Sequence, residues 1–176
     1  MTMPSTVAVI VFHATSADTE TVAMSAAVGA VQARALIRLR RMPDSAGRTA
    51  PSRTEDRDAL ARMQKEYVAP TEADVLGADA ILIVPPPGSA PDGEEWQPFV
   101  SLLARLGAEG RLAGKVAAVV HAGDAATVAA FAKALVVPGL IMVPPGTFGA
   151  ERDLAATATL HGRHVAGLAA TLKPSV

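Results

Sequence analysis

The stretch His13-Ala14-Thr15-Ser16-Ala17-Asp18-Thr19-Glu20-Thr21 places hydroxyls at Thr15, Ser16, Thr19 and Thr21, just after an apolar run and just ahead of a helical pattern. A helix opens with backbone N–H groups that lack an intrahelical partner. Such amides, joined by hydroxyl donors, make a seat for phosphate. Ser, Thr and Asp also cap helices for structural reasons alone, so spacing leaves both readings open. His13 and His121 each follow an apolar run. Two imidazoles at one rim suit a metal ion or proton transfer, against the plainer reading of two solvent-facing loop side chains. No third ligand completes the pair in sequence, so no metal site is expected. His161 and His164 stand three apart and share a helical face, expected at the surface. Glu55, Asp56 and Asp58 with Arg57 and Arg62 read as a solvated helical face. Ser16 and Ser89 lack a G-x-S-x-G elbow, which weighs against hydrolase chemistry. Neither G-x-G-x-x-G nor G-x-x-x-x-G-K-[ST] follows the first apolar run, which weighs against a dinucleotide fingerprint and a P-loop.

These groups need elements to hold them. Val7 to Phe12, Ala80 to Val84 and Val116 to Val120 are continuous apolar runs. They are too short for typical helices and read as parallel strands buried on both faces. Leu140 to Val143 is a fourth strand, and Ala35 to Arg40, alternating apolar and basic at its end, reads as an edge strand. Helical patterns cover Thr19 to Arg34, Glu55 to Glu66, Trp96 to Leu106, Asp124 to Leu135 and Arg152 to Leu172. Gly162 and Gly167 threaten the continuity of the last. Residues 43–53 read as a mobile loop. Alternation of strand and helix predicts an α/β three-layer sandwich, one domain over residues 1–176, with a five-stranded parallel sheet of order 2-1-3-4-5. In that order the chain switches direction between strands one and three, and a small-molecule ligand binds beyond the strand C-termini there. Three loops line that crevice: 12–20, 85–95 and 121–124. They supply Thr15, Ser16, Ala17, Asp18 and Thr19, then Pro86, Pro87, Gly88 and Ser89, then His121 as candidate binding residues. Prolines remove N–H donors from the second loop but leave those of Gly88, Ser89 and Ala90. Trp96, on an amphipathic helix, reads as a core or interface side chain rather than as a platform for a ligand ring.

Composition narrows the function. Sixteen Lys and Arg against 17 Asp and Glu give a net charge of −1, with no basic run, so neither nucleic acid nor an anionic membrane is expected as a partner. Cysteine is absent, which excludes disulfides, thiolate metal sites and a catalytic thiol. No apolar run reaches the ~18 residues of a membrane span. The start Met1-Thr2-Met3-Pro4-Ser5 has no basic n-region, so a cytoplasmic protein is expected. Apolar residues make up 50% of the chain, which argues for self-association as a homodimer or homotetramer through the Trp96 helix or the last helix.

The first loop resembles the flavodoxin phosphate loop Thr/Ser-x-Thr-Gly-x-Thr-Glu, with Ser16, Ala17, Asp18, Thr19 and Glu20 at its last five positions. The remainder resembles WrbA-type NAD(P)H:quinone oxidoreductases. The segments that carry it are Thr71 to Ala80, Leu112 to Val116, Gly139 to Gly146, and His164-Val-Ala-Gly-Leu-Ala169. The resemblance implies a flavodoxin-like fold, FMN at the three loops, two-electron reduction of quinones by NAD(P)H, and dimers that pair into tetramers. The chain departs from the family at the loops. Ala14 stands for a serine and Ala17 for a glycine, and Pro86-Pro87-Gly88-Ser89-Ala90-Pro91 stands for Pro-Thr-Arg-Phe/Tyr-Gly-Asn. The loop at His121 and the segment Thr147 to Ala150 are short. Losing two phosphate hydrogen bonds at ~1.5–3 kcal/mol each would take a nanomolar ligand to micromolar or weaker. Weak or absent FMN binding is therefore expected. The alternatives are a flavin-free binding or assembly module on the same fold, and an enzyme for another small ligand with His13 or His121 as acid or base.

Overall fold

The structure is a computed structural model, and it describes residues 5–46, 51, 53–120, 124–144 and 153–173. The elements in chain order are β1 (Val7–Phe12), α1 (Ala17–Gln32), β2 (Leu36–Arg41), α2 (Thr54–Glu66), α3 (Glu72–Gly77) and β3 (Ala80–Val84). They continue as α4 (Gln97–Ala108), β4 (Val116–Val119), α5 (Ala125–Val136), β5 (Ile141–Met142) and α6 (Leu154–Leu172). The five strands form one parallel sheet of order β2-β1-β3-β4-β5, the flavodoxin-like arrangement expected.

Strand period dictates the layers. Ala8, Ile10 and Phe12 of β1 join Leu82 and Val84 of β3 on one face, covered by α1, α2 and α6. Val9, Val11, Ile81 and Ile83 point to the other face, covered by α3, α4 and α5. The apolar runs are continuous because both faces are packed. Trp96 is wholly buried, its ring edge-on to Phe131 with centroids 5.0 Å apart. It is a core residue, one of the two places expected of it, and it does not line the cleft described below. The exposed apolar side chains of α1 are instead Met24, Val28 and Val31, which with Ile37 border a groove beside the edge strand β2.

Helix α6 is unbroken, as the helical reading of 152–172 expected despite its two glycines, and Gly162 is there for packing. A Cβ on Gly162 would drive into the Ala26 carbonyl of α1, and one on Gly29 into the Thr159 carbonyl of α6. The two helices thus touch backbone to backbone, and only glycine fits the crossing. Helix α3 was not read from the sequence. Its capping box is complete: the Thr71 hydroxyl accepts from Asp74 N–H at 3.2 Å, and Asp74 Oδ2 accepts from Thr71 N–H at 3.0 Å. Arg40 grips the same carboxylate at 2.8 and 2.9 Å, and Arg38 reaches it at 3.3 Å, which ties the edge strand to α3. The Arg40 hydrogen bonds hold the Asp74 carboxyl well below the usual carboxylate range, against its burial. Part of the expected 43–53 loop, residues 47–50 and 52, lies outside the described residues.

Candidate functional site

Because the strands are parallel, the loops after β1 and β3 and the starts of α5 and α6 gather at one edge of the sheet. A cleft of about 320 Å³ opens there. Ser16, Asp18, Thr19 and Thr21 form one wall, Pro87 another, and Asp153 to Ala155 the third. The first loop and the β3 bend therefore share a crevice, as the topology requires.

The phosphate-seat reading bears on the first wall. Ser16 is the N-cap of α1 with extended backbone (φ −153°, ψ 173°), yet its side chain makes no capping bond, so the hydroxyl is not spent on the helix. Thr19 lines the cleft with only 2% of its surface exposed. Thr21 returns its hydroxyl to the Ala17 carbonyl at 3.1 Å. Thr15, Ala17 and Asp18 are exposed. Sequence reasoning missed the third wall, the start of α6, where Asp153 accepts from Ala155 N–H at 3.0 Å. An aspartate opening the last helix is a capping signal that was there to be read. Among the described residues, Asp18 and Asp153 give the lining two carboxylates and no basic side chain.

The β3 bend is closed on itself. Gly88 adopts φ +76°, which glycine alone takes without strain. Its N–H donates to Asp124 Oδ2 and to Thr127 Oγ1, each at 3.2 Å. Ser89 donates both its N–H (3.2 Å) and its hydroxyl (2.7 Å) to the Pro86 carbonyl. Two of the three amides expected as ligand donors are thus engaged inside the protein, which corrects that expectation. Pro86 is buried and only Pro87 reaches the cleft. No aromatic side chain lines the cleft among the described residues.

His13 and His161 differ from their expected surface placement, whereas His164 is exposed as expected. His13 is buried; its Nε2 lies 3.3 Å from Asp44 Oδ1. That carboxylate also receives Arg41 at 2.9 Å and Gln64 at 2.9 Å, so His13 belongs to a packed polar cluster rather than to an open rim. His161 is also buried, which pushes its pKa down although a bond to the Val143 carbonyl pulls upward; its Nε2 has no partner among the described residues. His121 lies outside the described residues. Arg62 stays on the solvated face assigned to it but also donates to the buried Glu20, as does the Tyr67 hydroxyl at 2.8 Å. Among the described residues, no three His, Asp or Glu side chains group so as to hold a metal ion, and no helix is long and apolar enough to cross a membrane.

No family model and no curated protein matches this chain. Solved structures do. A WrbA-like flavodoxin from Agrobacterium tumefaciens superposes with a TM-score of 0.61 at 19% identity, over 96% of this chain and 100% of that one. A flavodoxin from Streptococcus pneumoniae gives a TM-score of 0.63 at 18% identity, over 93% and 99%. The two-electron reduced flavodoxin of Megasphaera elsdenii gives 0.56 at 16%, over 89% and 98%. Likeness at such identities establishes the flavodoxin-like fold.

Proposed function

We propose that the crevice binds a phosphate-bearing flavin, FMN, with low affinity, and that the chain is a flavodoxin-type redox protein of the WrbA kind. The observation that carries the reading is the wall at the start of α1, where Thr19 and Ser16 line the cleft and the Ser16 side chain makes no capping bond. There the first amides of α1 point outward with partial positive charge, and Ser16 keeps its hydroxyl free of the cap. The phosphate end thus fits. The ring end fits poorly, because Gly88 and Ser89 donate inward and no aromatic side chain lines the cleft among the described residues. Asp18 and Asp153 further oppose a dianion. Bound FMN would supply hydride transfer between NAD(P)H and a quinone. The chain's own part is to seat the phosphate through Ser16, Thr19 and the α1 amides, and to wall the crevice with Pro87 and Leu154.

The test is a fluorescence-quenching titration with FMN and with riboflavin, which lacks the phosphate. FMN should bind with a micromolar or weaker dissociation constant and about tenfold more tightly than riboflavin, the worth of one good hydrogen bond to a charged group. Thr19→Val should erase that preference. Equal affinities in the unaltered chain would end the phosphate reading. The inward turn of Gly88 and Ser89 favours a second reading, a flavin-free binding or assembly module on this fold. It expects a colourless protein that stays without flavin at millimolar FMN.

A further inference from the structure

Helix α1 has two sides with different fates. One lies backbone to backbone against α6 at Gly29 and buries Val22, Ala23, Ala26 and Ala30. Along the other, Ala17, Thr21, Met24, Val28 and Val31 are exposed, spaced four, three, four and three residues apart, with no charge among them. That alternation is the narrow seam by which one helix packs along another. Met24, Val28 and Val31 also border, with Ile37 and Leu39 of β2, an apolar groove of about 320 Å³.

Charge and symmetry say what covers it. The seam has an acid at one end and a base at the other: Asp18 in the first turn and Arg34 just past the last, both exposed. A surface so polarised complements itself only when a second copy runs antiparallel, which is the arrangement a two-fold axis produces. An axis at the level of Ala26 sets Met24 against Val28 and Thr21 against Val31, the register that pairs all three large apolar side chains. The same register brings Asp18 level with Arg34 of the second copy at both ends. Arg34 stands at φ 64°, in the left-handed region that favours glycine, where the Ala35 N–H closes the helix end on the Ala30 carbonyl at 3.0 Å. Strain of that kind is kept where the side chain has a use, and a long cation at this corner has one in reaching the second copy. The 16 residues of α1 span roughly 24 Å, and the β2 side chains widen the strip toward the roughly 800 Å² per copy of a standard interface. We infer that α1 is a dimerisation helix: its outer seam and the bordering β2 residues dock antiparallel on the same surface of a second copy, with Asp18 and Arg34 pairing across the two ends. This surface is neither the Trp96 helix nor the last helix, and it stands whether or not the crevice takes a flavin.

Sedimentation velocity over a concentration series reads the association. The natural chain should run at twice the chain mass at micromolar concentration. Val28→Lys sets two lysines in the middle of the seam and should weaken the dimer by about hundredfold. Val28 is exposed in the single chain, so circular-dichroism melts of that variant should show the fold intact. Asp18→Arg and Arg34→Asp should each weaken the dimer by about tenfold, and the two together should restore the natural affinity. Should Val28→Lys fail to fold, this charge exchange carries the test by itself. A chain that stays monomeric to millimolar concentration overturns the inference and leaves the groove to another partner. A dimer indifferent to Val28→Lys, or a double variant no tighter than either single one, overturns it as well.

Discussion

A carboxylate buried in the first turn of a helix is tolerable only when its oxygens are filled. Glu20 meets that condition through Arg62 and the Tyr67 hydroxyl. Burial alone would raise its pKa; the bonds from Arg62 and Tyr67, with the charges of Arg62 and Arg41, bring it below the ordinary value. Tyr67 is pushed up to about 12 by burial and by the same bond, and Phe12 packs edge-on against its ring at 5.1 Å. Since Thr19 is the preceding residue, this anchor also steadies the cleft wall. Glu20→Gln should cost about 1–3 kcal/mol in urea denaturation at pH 7. A carboxyl whose pKa is depressed by folding contributes above its unfolded value, near 4.5, and loses that contribution as pH falls. The gap between the two proteins should therefore shrink toward pH 3. At this scale the sequence was half legible. The hydroxyls of Ser16 and Thr19 could be read from spacing beside an apolar run, whereas the partner of Glu20 lies 42 residues away and leaves no local trace.

At the scale of elements, the α1–α6 crossing is the sharpest constraint. Gly162→Ala or Gly29→Ala sets a methyl against backbone, which cannot step aside as a side chain end can. Each should destabilise by about 3 kcal/mol, at the upper end of overpacking, in chemical denaturation. Gly167→Ala, on the same helix with nothing among the described residues within 4 Å of its Cβ position, should stabilise by about 0.5–1 kcal/mol through helix propensity. The pair separates packing from propensity. It also shows what the sequence left open: glycine in a helical pattern looks like a weak point whether or not a neighbouring backbone needs the room. The strands were plain because a strand covered on both faces has no polar positions, and β1 and β3 match their apolar runs residue for residue. Helix α3 escaped because six residues show too little periodicity, leaving Thr71 and Asp74 as the only signal.

For the molecule as a whole, His161 sets an acid limb. Folding lowers its pKa beneath 6.5, chiefly by burial and in small part by the charge of His164, with the Val143 carbonyl opposing. The unfolded chain then binds the proton more readily. Stability is full above pH 6.5 and declines as pH falls through that value. Urea midpoints taken between pH 7.5 and 5 should fall for the natural chain and fall less for His161→Gln. Glu20 and Asp74 do not blur this window, because their folding-linked protonation begins only below their ordinary values of 4.5 and 3.8.

The two margins of the sheet are blunted by different means. At one margin β5 pairs over only Ile141 and Met142, too short a ladder to recruit another strand. At the other, β2 runs six residues with Leu36 and Ile37 exposed, and what discourages a foreign strand is the guanidinium pair Arg38 and Arg40 clamped on Asp74. Charge on that rim thus acts as a guard against amyloid-like stacking. Replacing both arginines by leucine should turn β2 into a template, seen as thioflavin fluorescence and light scattering that grow on incubation while the natural chain stays clear.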